Sequence, residues 1–175
     1  MNRIMRHPPF FAIVAVFLLL ISSTGVVGAW AFFQQTHPAS IQLSCAGITV
    51  YFGENMTEED ILADYTPVDF GTLAVNGGGL ESDNLTYWAK NTGDVDGVAF
   101  GVSLTSIAPE LTLMVKSDNV TSWTEVPVGG PVITLTDGGL NQLEFVKVDL
   151  KLVVDPLLAT SGLKALEIVF EGDTE

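Results

Sequence analysis

The sequence predicts an all-β fold, an antiparallel β-sandwich preceded by a hydrophobic signal or anchor helix. Alternation of apolar and polar residues with period two recurs along the chain after residue 40, the spacing that lines one face of a strand. Clusters of Gly, Asn, Asp and Pro separate the alternating runs at sandwich-like intervals. Helical periodicity does not alternate with the strands, which excludes a βαβ architecture.

The chain opens MNRIMRHPPFFAIVAVFLLLISSTGVVGAWAFF. Arg3 and Arg6 form a positive n-region, and residues 10–21 are apolar without interruption. Ser22, Ser23, Thr24 and Gly25 break the run, and Ala29-Trp30-Ala31 supplies the small-x-small pattern that a signal peptidase reads. Residues 1–31 are therefore expected to be a signal peptide and residues 32–175 a single secreted domain. The alternative is an uncleaved anchor, because residues 10–33 carry no charge and are long enough to cross a bilayer. Either way Arg3 and Arg6 hold the N-terminus inside, so the domain is expected to be secreted or at the cell surface, or the extracytoplasmic part of a single-pass membrane protein.

The elements follow in order. Ile41, Leu43 and Cys45 alternate with Gln42 and Ser44; the phase slips at Ala46-Gly47, then Ile48, Val50 and Phe52 resume, the signature of a bulge. Residues 58–64 form the one predicted helix, with Thr57 as N-cap and acids in its first turn. A strand is predicted over 68–75, ending in the turn Asn76-Gly77-Gly78-Gly79, and another over 85–91. Tyr87 and Trp88 must face opposite ways on that strand, and Trp88 is expected in the core. The turn at residues 92–97 leads into a strand over 98–104, followed by strands over 111–115 and 132–136. The longest is 145–154, where Val146, Val148, Leu150, Leu152 and Val154 oppose Lys147, Asp149 and Lys151. Leu166, Ile168 and Phe170 mark the last. About eight strands and no alternating helices point to an antiparallel sandwich of immunoglobulin-like type.

After residue 31 the chain holds five Lys, no Arg and all 21 acidic residues, a formal charge of −16. Such a surface repels nucleic acid and anionic membranes, so no nucleic-acid partner is expected, and membrane contact only through an uncleaved N-terminal helix. Cys45 is the only cysteine; no disulfide can form within the chain, and the alternation makes it a small buried residue. Three sequons, at Asn55, Asn84 and Asn119, are candidate glycosylation sites of a surface protein.

No catalytic constellation is predicted. His37 is the only His after residue 31, so neither a zinc-binding His pair nor a Ser/His/Asp set can be assembled. Gly77-Gly78-Gly79 does not follow the phosphate-loop pattern. Asp94-x-Asp96-Gly97 is the one metal-like cluster, weakly suited to calcium, but it lacks the distal Glu of a calcium loop and reads more plainly as a polar hairpin turn. No other cofactor is expected. Trp123, among Thr and Ser, is expected to be partly exposed.

Gly28-Ala29-Trp30-Ala31-Phe32-Phe33 followed by Ile41-Gln42-Leu43 resembles the start of TasA/camelysin-type proteins. Phe70-Gly71-Thr72-Leu73 and the block LTYWAKNTG at residues 85–93 are similar to that family's loop and following strand, and residues 148–172 resemble the closing strand pair of secreted immunoglobulin-like domains. The resemblance implies an immunoglobulin-like/jelly-roll sandwich and subunits of an extracellular filament, linked when the N-terminal segment of one completes a sheet of the next. The metalloprotease label given to camelysin-type members does not transfer, because the histidines are missing. The expected assembly strand carries Phe32, Phe33, Ile41 and Leu43, apolar side chains that need a groove, and self-association is the expected partnership. The same strand could instead fold onto its own domain. The alternative function is a monomeric secreted or membrane-anchored immunoglobulin-like module that binds a glycan, a cation or a surface protein.

Overall fold

A computed structural model describes residues 36–45, 47–73 and 80–174. The expected signal helix (1–31), Phe32, Phe33, Ala46 and the turn at 76–79 lie outside the described residues. Among the described residues no helix is long and apolar enough to cross a membrane.

Ten strands form two five-stranded sheets. The first sheet contains β1 (Thr36–Cys45), β3 (Thr66–Thr72), β5 (Val98–Ser106), β8 (Ile133–Thr134) and β10 (Leu166–Thr174), in the order β3-β1-β10-β5-β8. The second contains β2 (Ile48–Phe52), β4 (Leu85–Asn91), β6 (Leu111–Ser117), β7 (Thr124–Glu125) and β9 (Phe145–Val154), in the order β2-β4-β9-β6-β7. The inward positions of β9 are those the alternation gives, Val146 to Val154 at every second residue. They meet Ile41, Phe100, Val102, Ile168 and Phe170 of the first sheet in one shared core. Phe170 stands at its centre, edge-on to Tyr87 of the opposite sheet (centroids 5.5 Å apart) and tilted against Phe100 (5.4 Å).

Four expectations are corrected. Among the described residues the named strands pair antiparallel except that β1 runs parallel to β10, residues 39–45 lying in register with 166–172. The phase slip near Gly47 is a change of sheet: β1 ends in the first and β2 begins in the second, with Gly47 at φ +67° turning the corner. The helix expected over 58–64 is a single 3-10 turn, Glu58–Asp60. The Asp60 carboxylate accepts from the Thr57 N–H and hydroxyl, and the chain is then drawn into pairing, Ile61 with Tyr51 and the Leu62 N–H with the Val50 carbonyl. These cross-chain bonds take the backbone groups a longer helix would use. Finally, Tyr87 occupies the core and Trp88 faces outward, against Phe145.

Other boundaries move by a few residues. The strand expected over 68–75 is β3, and that expected over 132–136 shrinks to β8. Cys45 points toward the core but is half-buried.

The turns after β4 and before β9 are joined by one buried side chain. The Asn91 amide donates to the carbonyls of Val95 (2.7 Å) and Leu140 (2.8 Å), and its Oδ1 accepts from the Gly93 N–H (3.0 Å). Nearby, a Cβ on Gly139 would collide with the Gly97 carbonyl, so the close approach of the two turns requires glycine at 139. Asn91→Ala strands buried backbone groups and should cost roughly 1–3 kcal/mol in urea unfolding. Asp94→Ala, at an exposed turn position, should stay within about 0.5 kcal/mol.

Candidate functional site

Of the expected assembly residues, Ile41 and Leu43 fall on β1, whereas Phe32 and Phe33 lie outside the described residues. Ile41 is fully buried and Leu43 half-buried against the core, while Ser40, Gln42 and Ser44 face outward. In the single chain β1 fills the slot between β3 and β10, so its own domain receives these side chains. It is bound there by its ladders to β10 and β3 and by inward packing of Ala39 and Ile41. Because β1 runs parallel to β10, the chain enters it at the end where the 155–165 loop exposes Leu157, Leu158 and Leu163.

Its exit is a short pivot. The Gly47 carbonyl accepts from the N–H groups of Thr92 (2.9 Å) and Gly93 (3.0 Å), which clamps the start of β2 to the second sheet. Residues after Gly47 thus belong to the second sheet, while those before it are held by the first.

Cys45 lies just before this pivot, its Sγ 3.6 Å from the Phe170 carbonyl. Burial, with Asp64 and Glu171 adding repulsion, pushes the thiol up to about 11, against a modest opposing effect of a hydrogen bond with the Ser44 backbone. It is a neutral thiol at physiological pH and not a poised nucleophile.

A cleft of about 350 Å³ lies at the open edge between β2 and β3, lined by Phe52, Ile61, Val68, Glu59, Asp60 and Asp69 among others. Two of its three carboxylates have local work: Asp60 caps the 3-10 turn, and Asp69 Oδ1 accepts from the Gly71 N–H at 2.8 Å. No acid–base pair emerges from it. Glu110 is the most buried acid; burial raises its pKa, but hydrogen bonds from Lys164 (2.6 Å), from its own backbone and from Thr160 outweigh this and leave it below the usual value.

Asp94 and Asp96 are both exposed, and Asp96 Oδ1 accepts from the Gln142 N–H at 2.7 Å, a turn-bracing contact. Among the described residues no group of three or more His, Cys, Asp or Glu is placed to hold a metal ion. Trp123 is half-buried, with Lys151 Nζ 4.6 Å above its ring. The sequons differ in a way the tripeptide does not encode. All three asparagines are exposed; among the described residues Asn55 and Asn84 have no bond to their amides, whereas the Asn119 amide donates to the Leu135 carbonyl at 3.1 Å.

No protein-family model matches this sequence, and no curated protein sequence matches it.

Two outcomes follow from this geometry. Cys45 should react with a thiol reagent at pH 8 about a hundredfold more slowly in the folded chain than in urea, since two pH units separate its pKa from an ordinary thiol. In a host that glycosylates Asn-x-Ser/Thr, peptide mapping should find glycan at Asn55 and Asn84 and none at Asn119.

Proposed function

We propose that the protein is an exported structural subunit that assembles by strand exchange, β1 of one copy leaving its own first sheet and entering the slot between β3 and β10 of the next. The observation that supports this most is the single-pivot attachment of β1. It is an interior strand of one sheet, yet the residues that follow Gly47 belong to the other sheet. It can therefore be withdrawn as a unit without unravelling β2 to β10.

The energetics are those of domain swapping. An exchanged β1 remakes the same ladder and buries the same Ala39 and Ile41, so the exchange itself changes few contacts. An empty slot, by contrast, exposes the inward edges of β3 and β10, whose unpaired N–H and C=O groups demand a strand. Head-to-tail exchange leaves each donor with an open slot, which propagates a filament. The immunoglobulin-like/jelly-roll class is part of this proposal, as is export directed by residues 1–31. Exposed Leu157, Leu158 and Leu163 at the end where β1 enters supply apolar surface beside the incoming chain.

Gln42 and Val169 are outward-facing register partners on β1 and β10. A Gln42→Cys/Val169→Cys disulfide, made in a Cys45→Ser background, ties β1 to its own domain; neighbouring Cα atoms at this spacing are within disulfide reach. The locked protein should form no denaturant-resistant fibres, and reduction should release them. Such fibres from the locked protein, or monomers at every concentration after reduction, would overturn strand exchange; the second result would favour the binding module.

A further inference from the structure

Among the strands, the lysines and most of the acids lie on opposite outward faces of the domain. Every Lys within a strand belongs to the second sheet: Lys90 on β4, Lys116 on β6, and Lys147 and Lys151 on β9. All four alternate with core residues and therefore face outward. The strands of the first sheet contain no Lys or Arg. Their outward positions hold Asp69 on β3 and Glu167, Glu171 and Asp173 on β10. In a domain with five Lys against 21 acids, this segregation concentrates nearly all the available positive charge on one sheet face.

The lysine face is also built for contact. Trp88 pairs across the sheet with Tyr51 on one side and Lys147 on the other, and its ring lies edge-on to Phe145 at 5.4 Å. Its indole N–H is covered but has no acceptor. The acids on this face are Asp149, paired with Lys147 (3.3 Å), and Glu125, exposed at the β7 edge; beside it Glu81 pairs with Lys151 (2.7 Å), and exposed Asp83, Asp118, Glu144 and Asp155 stand at the strand ends. Lys90 and Lys116 make no ion pair among the described residues.

We propose that the outward face of the second sheet docks on the outward face of the first sheet of another copy, a lateral contact separate from strand exchange. The occupant is a second copy because the chain itself supplies the complement, an acidic face with no Lys or Arg among its strands. That face presents Ser40, Ser44 and Ser103 between its acids, short side chains that let a flat sheet approach. Strand spacing and rise make each face roughly 24 Å by 23 Å, or about 1,100 Å² for both partners, the low end for a specific interface. Such a contact is weak for a pair and strong when repeated along an array. It is also heterologous, one face against the other, so it propagates instead of closing.

Sedimentation equilibrium of the purified protein tests this, run both on the native chain and on the chain locked by the Gln42→Cys/Val169→Cys disulfide in its Cys45→Ser background. The lock removes strand exchange and leaves the faces untouched, so the two ideas fail separately. Reversible association of the locked protein is expected, weakening at about 1 M salt as the ion pairs are screened. K90E/K116E and E167K/D173K should each associate roughly tenfold more weakly, and an equimolar mixture of the two should regain association. Circular dichroism checks folding; should K90E/K116E not fold, K90Q/K116Q takes its place with the same expected direction. A locked protein that stays monomeric at all salt concentrations overturns the proposal. So does association unaffected by the swaps, or a mixture that fails to recover. Lysine-dependent cosedimentation with polygalacturonate by a monomeric protein overturns it in favour of an anionic polysaccharide as the partner.

Discussion

The first sheet is continuous only because β1 sits between β3 and β10. Its ladder to β10 is the single parallel pairing among the described strands, and its ladder to β3 ties in an edge strand that has no other named partner in the sheet. Remove β1 and the core loses Ala39 and Ile41, while two strands expose unpaired backbone. The protein therefore depends on its first described strand for a central structural position. That dependence underlies the strand-exchange proposal.

The second sheet is built without β1. It is centred on β4, β9 and β6, whose inward residues are mostly buried aliphatics. Its edges are shielded by local devices: β7 is two residues long, and the 3-10 segment pairs briefly against β2. Tyr87 and Phe170 hold the two sheets in contact at the centre, away from the β1 pivot. The Tyr87 hydroxyl is buried without a partner, and burial pushes its pKa well up, so it stays neutral. An unsatisfied hydroxyl at this point is a local cost, offset by the ring contacts with Phe52 and Phe170.

Charge adds a second level of organisation. A strongly acidic surface keeps subunits apart at long range, which disfavours random aggregation of exposed edges. Segregation of lysines onto one sheet face provides an exception to that repulsion in a single direction. Strand exchange and face contact would run along different axes of the domain, one through the β1 slot and the other through the sheet normals.

Much of this architecture is legible in the sequence because alternation is a local property. The inward residues of β9 and β10, the limits of β4 and β9, and the polar turn around Asp94 and Asp96 all follow from pattern and turn chemistry within a dozen residues. What could not be read locally was decided by partners distant in the chain. The phase slip at Gly47 looks the same whether a strand bulges or changes sheets, and only the presence of both sheets distinguishes the two. Tyr87 and Trp88 alternate, but which of them enters the core depends on Phe170, eighty residues away. The helix expected at 58–64 gave way to pairing with β2, and the free or engaged state of Asn119 depends on the Leu135 carbonyl. By itself the sequence determined an acidic all-β domain and its strand faces, because side-chain direction has period two. Tertiary structure alone decided that β1 lies inside its sheet, parallel to β10, and that the chain changes sheet at Gly47, because sheet order is set by long-range pairing that no local pattern encodes.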